Sequence, residues 1–171
     1  MSDRPDYPHI RRVVTGHDDK NVAKVIIDGA ATNEKYPDVA MISTLMWCSD
    51  GMPADISVGT TIEDLGNRSL GSAPPVNGTR FAILDFPPGN TAVTHRTETL
   101  DYVIVLEGEI EMDMDDSTVK LKTGDVLIQR GTNHTWMNRS SARARIAVVL
   151  VDAKPLGIGK ALARDTTAAA H

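Results

Sequence analysis

The sequence predicts an all-β protein whose strands form a sandwich or a barrel. Apolar residues recur at the period of a β-strand, and the helical period is nearly absent. Turn residues follow the strand-like segments about every ten positions, which is typical of such folds. The chain has 171 residues, enough for one hydrophobic core with little left for a second.

The predicted strands run from the first part of the chain almost to its end. We predict them at residues 11–15, 23–28, 39–48, 80–86, 100–106, 109–114, 119–121, 125–129 and 145–151. In the hairpin, Ile110, Met112 and Met114 alternate with acidic residues, so one face would be buried. Residues 52–78 contain repeated Pro and Gly, which predicts either a long loop or a poorly paired strand near residues 56–58.

Charge and hydropathy exclude several kinds of partner. Eighteen basic and twenty-three acidic residues give a net charge of −5, and no basic run is long enough to predict nucleic-acid binding. The longest apolar stretch is too short to cross a bilayer, so no membrane partner is expected. The first twelve residues lack the apolar core of a signal peptide, and one cysteine allows no internal disulfide. We therefore expect a cytoplasmic protein.

Two histidines lie where turns lead into strands. In an extended chain alternate side chains share a face, and from residue 95 onward that face carries His95, Thr97, Thr99 and Asp101. An imidazole and a carboxylate on one face form half of a site for a divalent ion. His134 belongs to a different hairpin, and the fold must bring it in. Two His and one carboxylate with open positions is the arrangement of mononuclear iron oxygenases.

Residues 89–138 contain a motif that resembles the first motif of the cupin superfamily. That motif reads Gly, five residues, His, one residue, His, three or four residues, Glu, six residues and Gly. Gly89, His95, Asp101 and Gly108 keep this spacing. The sequence departs from the family pattern at Thr97, which stands at the second His, and in having Asp in place of Glu.

The second cupin motif ends in Gly, two residues, His, three residues and Asn, which Gly131, His134 and Asn138 match without the motif's Pro. The resemblance implies a cupin-type double-stranded β-helix, which is a jelly-roll barrel, with extra N-terminal strands. Residues 80–153 would form the barrel core. Residues 1–79 would pack on it or swap with it, and residues 154–171 would be a C-terminal tail.

The resemblance also implies one divalent metal ion, which could be Fe, Mn, Zn or Ni, held by His95, Asp101 and His134. A standard cupin site has three His and one Glu. Thr97 would be a weak fourth ligand because an un-ionised hydroxyl is a poor donor, so water or substrate is expected there. The alternative is a metal-free barrel in which both histidines are hydrogen-bonded inside.

Further side chains are candidates for substrate binding, and no catalytic residue is assigned. The candidates are Thr97, Thr99, Trp136, Arg80 and Trp47. Trp136 is two residues beyond His134 and shares its face, although a plain core role is an equal alternative. Arg80 and Arg130 could reach a carboxylate, whereas Arg96 is expected to point outward. Trp47 either borders the pocket or belongs to the core or an interface.

Two classes of function fit this sequence. One is a metal-dependent lyase or oxidoreductase, such as a decarboxylase, dehydratase, isomerase or dioxygenase. Residues 96–102 look like those of small bacterial and fungal cupins of aromatic and polyketide pathways, which implies a small organic acid or an aromatic or polyketide-like substrate. The other class is a non-catalytic small-ligand-binding or sensor cupin, which the loss of the second metal His favours.

The predicted assembly is a homodimer. Residues 39–48 are too apolar to lie exposed at a sheet edge, and a second subunit would cover them.

Overall fold

The structure is a computed structural model that describes residues 6–36 and 41–163. Within them are eleven strands and one 3-10 helix, Leu65–Asn67. The strands are β1 Arg11–His17, β2 Ala23–Ala30, β3 Glu34–Lys35, β4 Ile42–Ser49, β5 Thr79–Phe86, β6 Thr99–Glu107, β7 Glu109–Asp113, β8 Thr118–Lys122, β9 Val126–Arg130, β10 Thr135–Met137 and β11 Ala144–Asp152. In the described part of the chain, no helix is long and apolar enough to cross a membrane.

Two antiparallel sheets enclose the main core, which confirms the predicted all-β class. The larger has six strands in the order β3-β4-β5-β11-β6-β9, and the smaller has the order β10-β7-β8. Apolar side chains from both sheets pack between them, including Phe86 and Ile146 from the larger sheet and Ile110 and Trp136 from the smaller. Strands β1 and β2 form a separate hairpin.

Alternation along β6 gives the larger sheet an inner and an outer face. Asp101, Val103 and Val105 are buried, whereas Tyr102 and Ile104 between them are each 45% exposed. Because directly paired residues of neighbouring strands share a face, this alternation fixes which side chains of β11 and β9 enter the interior.

Covering residues 39–48 does not require the expected second subunit in the part that the structure describes. Strand β4 lies between β3 and β5 and is buried at all but one of its residues. Met46 and Ile83 pack with Ala31 and Ile10 from the N-terminal segment. The chain itself therefore covers this apolar strand, and Val39 and Ala40 lie outside the described residues.

Residues 50–78 form a long connection, and Ile56, which is 90% exposed, belongs to no strand. The 3-10 helix is tied to the N-terminal hairpin through Arg12, whose Nη2 donates to Asp64 Oδ2 at 2.5 Å and whose Nη1 donates to the Met46 carbonyl at 3.2 Å. A Cβ on Gly66 would lie 2.7 Å from the Met46 carbonyl oxygen, so only glycine fits there without a shift of the β4 backbone.

Candidate metal and ligand site

The histidines predicted to share a site lie side by side. His95 precedes β6 and His134 precedes β10, and an isolated antiparallel bridge pairs the two residues. Each backbone N–H donates to the other's carbonyl, at 3.0 and 2.9 Å. The ring centroids are 4.5 Å apart. The fold therefore brings together the two imidazoles that the sequence places 39 positions apart.

A backbone carbonyl orients each ring. His95 Nδ1 donates to the Val93 carbonyl at 2.9 Å, and His134 Nδ1 donates to the Thr132 carbonyl at 3.0 Å. Because a carbonyl can only accept, Nδ1 carries the hydrogen in both of these bonds. In a neutral imidazole bonded in this way, Nε2 keeps the lone pair that binds a cation.

His134 is 5% exposed, and its burial lowers the pKa of the imidazole to about 4. The Thr132 carbonyl acts in the opposite direction, and nearby His95 adds to the lowering. The ring is therefore neutral near pH 7, the state in which histidine binds a metal ion.

Asp101 contributes a buried carboxyl from the inner face of β6. Its Oδ1 has no hydrogen-bond partner among the described residues. Burial raises the pKa of Asp101 to about 6, against the lowering effects of a Thr99 hydrogen bond and of His95. An unsatisfied buried carboxylate oxygen is costly unless a cation or a proton neutralises it.

Thr97, Thr99 and Trp136 also lie around this site. The hydroxyls of Thr97 and Thr99 are 2.7 Å apart, and both residues are buried. Trp136 presents its ring edge-on to His134, with centroids 6.2 Å apart, and it also belongs to the main core. The two interpretations of Trp136, pocket wall and core residue, therefore both describe its position.

Gln129 is a site residue that sequence reasoning missed. It is 2% exposed, pairs with Asp101 across β6 and β9, and its side-chain amide lies 3.0 Å from His134 Nδ1. The available signal was a polar residue at an inward position of the strand predicted at residues 125–129.

Trp47 does not lie at the site formed around His95 and His134. It pairs with Phe81, whose neighbours along β5 face the main core, so Trp47 lies on the outer face. There the Arg12 guanidinium lies 5.9 Å from its ring centroid. The register shift between Leu45 and Trp47 explains why alternation along β4 did not predict this side.

Arg96 is buried rather than solvent-facing, contrary to expectation. It is 3% exposed, its Nη2 donates to the Ile158 carbonyl, and its Nη1 lies 3.7 Å from a Glu98 carboxylate oxygen. The segment after β11 returns to cover it, since the Leu162 N–H donates to the Arg96 carbonyl. This long-range contact has no local sequence signal.

Arg80 lies on the inner face of β5, opposite Leu150 of β11. Leu150 is in turn opposite Asp101 of β6. Arg80 and Asp101 therefore belong to one row of the sheet and share its inner face. Arg130, the other arginine considered for a carboxylate, follows inward-facing Gln129 and is exposed.

The donor set suits a divalent cation chemically, with two free Nε2 atoms and one unpartnered carboxylate oxygen. As the side chains are placed, however, no three His, Cys, Asp or Glu residues in the described part of the chain form a group that could hold a metal ion. Asp101 is one methylene shorter than the Glu of the family pattern, so its carboxylate stays closer to the strand.

Comparison with known proteins supports the family. A family model described as "Cupin domain" matches residues 82–151. Phomopsin biosynthesis cluster protein C' of Diaporthe leptostromiformis is 34% identical, over 94% of this chain and 90% of that protein. Cupin-domain-containing oxidoreductase srdB of Neurospora crassa is 31% identical, over 90% and 80%. The chain belongs to the cupin superfamily.

A solved structure agrees with the fold. The cupin domain of Schizosaccharomyces pombe Cnp3 superposes with a TM-score of 0.50, over 85% of this chain and 89% of that one, at 11% sequence identity. At this identity the likeness concerns the fold alone, and it confirms the predicted double-stranded β-helix.

Proposed function

We propose that this protein is a metal-dependent cupin enzyme, a lyase or oxidoreductase that acts on a small organic acid or an aromatic or polyketide-like substrate. His95, Asp101 and His134 would hold one divalent ion. The observation that carries the proposal is the pair of adjacent, tilted imidazoles, each with Nε2 left free by its Nδ1 hydrogen bond, together with the unpartnered Asp101 carboxylate of the same inner face.

The relatives support the oxidoreductase and natural-product parts of the proposal. Several fungal proteins that match this chain are named cupin-domain-containing oxidoreductases, and others are named biosynthesis cluster proteins. The similarity to srdB extends over 90% of this chain and 80% of that protein, so it includes the segment 95–134 in which the three proposed ligands lie.

The roles of the individual side chains follow from their surroundings. A bound divalent ion would supply Lewis-acid polarisation of a substrate oxygen. The Val93 and Thr132 carbonyls keep the imidazoles oriented. Thr97 stands where the family pattern has a further His, which leaves room for water or substrate. Trp136 excludes water from one side of His134.

Metal analysis of the full chain, purified without chelator and then loaded separately with Fe, Mn, Zn or Ni, tests this proposal. We expect about one ion per chain. The loaded protein would then be offered aromatic and polyketide-like acids under air, with product detection by mass spectrometry. Absence of stoichiometric metal under every loading condition would refute the proposed site.

A non-catalytic ligand-binding cupin is the second candidate. It is favoured by Thr97 at a ligand position and by the lack, among the described residues, of a closed three-ligand group. The two candidates differ in turnover: a binding protein would retain a small molecule unchanged, whereas the enzyme would convert it.

A further inference from the structure

Gln129 is a buried polar side chain beside two of the three proposed metal ligands, and it is the only glutamine of the chain. It is 2% exposed and faces inward from β9. Across the sheet it is directly opposite Asp101 of β6. Its amide nitrogen lies 3.0 Å from His134 Nδ1. A buried amide has both donors and an acceptor to satisfy, so the groups that Gln129 meets determine how it is oriented.

The Nδ1 atom of His134 has two neighbours that make opposite demands on it. The Thr132 carbonyl oxygen, 3.0 Å away, can only accept a hydrogen, whereas the Gln129 amide nitrogen, also 3.0 Å away, can only donate one. A ring nitrogen of a neutral imidazole carries either a hydrogen or a lone pair, so it cannot serve both. With the amide nitrogen toward the ring, one of the two contacts is therefore repulsive.

A rotation of the Gln129 amide by about 180° removes this conflict. The rotation exchanges Oε1 and Nε2 without changing the space that the side chain fills. Oε1 then accepts from His134 Nδ1–H together with the Thr132 carbonyl, and the NH2 group needs an acceptor of its own. Directly opposite residues of paired strands have Cβ atoms about 5 Å apart. The acceptor at that distance is Asp101, whose Oδ1 has no hydrogen-bond partner among the described residues.

We propose that Gln129 is a positioning residue that ties two of the metal ligands together: its carbonyl oxygen accepts from His134 Nδ1–H, and its NH2 group donates to the Asp101 carboxylate. Nε2 of His134 then keeps its lone pair, and the carboxylate has lone pairs left for a cation. The inference rests on the proposed function for the identity of the ligands. It deepens that function by naming the side chain that fixes them, since loss of such a partner typically costs about 10- to 100-fold in metal affinity.

Nitrogen-15 NMR of the chelator-treated full chain tests both hydrogen bonds without any metal. Ring nitrogens that carry a hydrogen and those that carry a lone pair resonate far apart, and at pH 8 His134 is neutral because its pKa is about 4. We expect the hydrogen on Nδ1 of His134. Because Gln129 is the only glutamine, labelling of glutamine side-chain nitrogen marks its NH2 group alone. That signal should shift in Asp101→Asn, where a neutral acceptor replaces the carboxylate.

Three variants connect Gln129 to metal binding. Gln129→Leu removes both hydrogen-bonding groups at similar size, so metal affinity should fall by about 10- to 100-fold, and part of the His134 population should carry its hydrogen on Nε2. Gln129→Glu keeps an oxygen that can accept from His134 Nδ1–H, so it should keep that hydrogen on Nδ1 and lose less affinity than Gln129→Leu does. Arg130→Met, at the next and exposed residue of β9, is the matched control and should equal the wild type in both measurements.

The proposal is overturned if Nε2 of His134 carries the hydrogen in the wild type, since the Gln129 amide would then donate to the ring. It is also overturned if the NH2 signal is the same in Asp101→Asn, or if Gln129→Leu binds metal as tightly as Arg130→Met does. If Gln129→Leu does not fold, the wild-type spectra and Gln129→Glu decide. If the wild type binds no metal under any loading condition, the proposed function fails, and the spectra of the metal-free chain still decide the role of Gln129.

Discussion

Arg80 and Asp101 face the barrel interior from the same row of the sheet, with Leu150 between them. One is a buried cation without a described carboxylate partner, and the other is a buried carboxyl with an unpartnered oxygen. Two strand spacings, about 10 Å, separate their backbones, and the Asp101 Oδ1 and Arg80 Nε atoms both lack a hydrogen-bond partner among the described residues.

His95→Ala and His134→Ala should each release most of the bound metal, because two remaining ligands seldom hold a divalent cation in water. Elemental analysis after identical loading measures this. His17→Ala, at an exposed histidine at the end of β1, is the control and should keep the metal content of the wild type. Equal metal content in all three variants would show that these imidazoles are not ligands.

Asp101→Asn should weaken metal binding but stabilise the metal-free protein above pH 6. The folded-state pKa of about 6 lies above the ordinary 3.8, so the folded carboxyl holds its proton more tightly than the unfolded one. That contribution to stability is complete below about pH 3.8 and is lost as pH rises through about 6.

At pH 8 we therefore expect Asp101→Asn to be more stable than the wild type by about 3 kcal/mol, with little difference near pH 4. Urea unfolding of the metal-free proteins at both pH values measures this difference. His134 is present in both proteins, so its own titration cancels in the comparison. A variant that is less stable than the wild type at pH 8 would contradict the account of Asp101.

Thr97→Val should keep the metal, because the proposed ligands are His95, Asp101 and His134 and because valine has a similar volume and β preference. The lost hydroxyl contact with Thr99 should cost about 1 kcal/mol of stability. Ligand affinity or turnover should change instead. Metal loss as severe as that of His95→Ala would show that the open position lies elsewhere.

Thr97→His tests the converse of the same idea. A third imidazole should tighten metal binding while it blocks the position proposed for water or substrate. Metal affinity and turnover are measured on the same preparation. No gain in metal affinity would show that the side chain at residue 97 does not face the proposed ligands.

The homodimer remains a prediction. Because residues 42–48 are covered within the chain, we now propose the outer face of β6 and β9 as its interface. Outward side chains of β6 and β9 form a continuous apolar face between 45% and 62% exposed, made up of Tyr102, Ile104, Leu106, Val126 and Ile128. Contiguous exposed apolar residues of this kind mark association sites, and a C2 dimer would pair the face with its own copy.

Ile104→Asp should therefore halve the mass of the particle measured by light scattering at micromolar concentration. Ile56→Asp, in the exposed loop, is the matched control and should leave the mass unchanged. A wild-type monomer under the same conditions would exclude the dimer.

The fold was predictable because strand alternation and cupin spacing are local properties. Residues 109–114 show this well: Ile110 and Met112 are buried as their alternation requires. The pairing of His95 with His134 could be predicted from the motif spacing, although neither segment shows by itself that the two rings are in contact.

What could not be predicted depends on irregularity and on distant chain segments. The shift in register near Trp47 reverses the side on which that residue lies. Arg96 is covered by residues more than sixty positions away.

The six-stranded sheet also determines which fragments of this protein can be stable. The segment that matches the cupin family, residues 82–151, begins inside β5. Without β3 and β4, the backbone N–H and C=O groups on one side of β5 would be unpaired, next to the apolar residues Ile83 and Leu84. An unpaired apolar edge strand forms hydrogen bonds with other chains and causes aggregation. A fragment limited to the family segment should therefore aggregate, and the shortest stable unit begins upstream of Glu34.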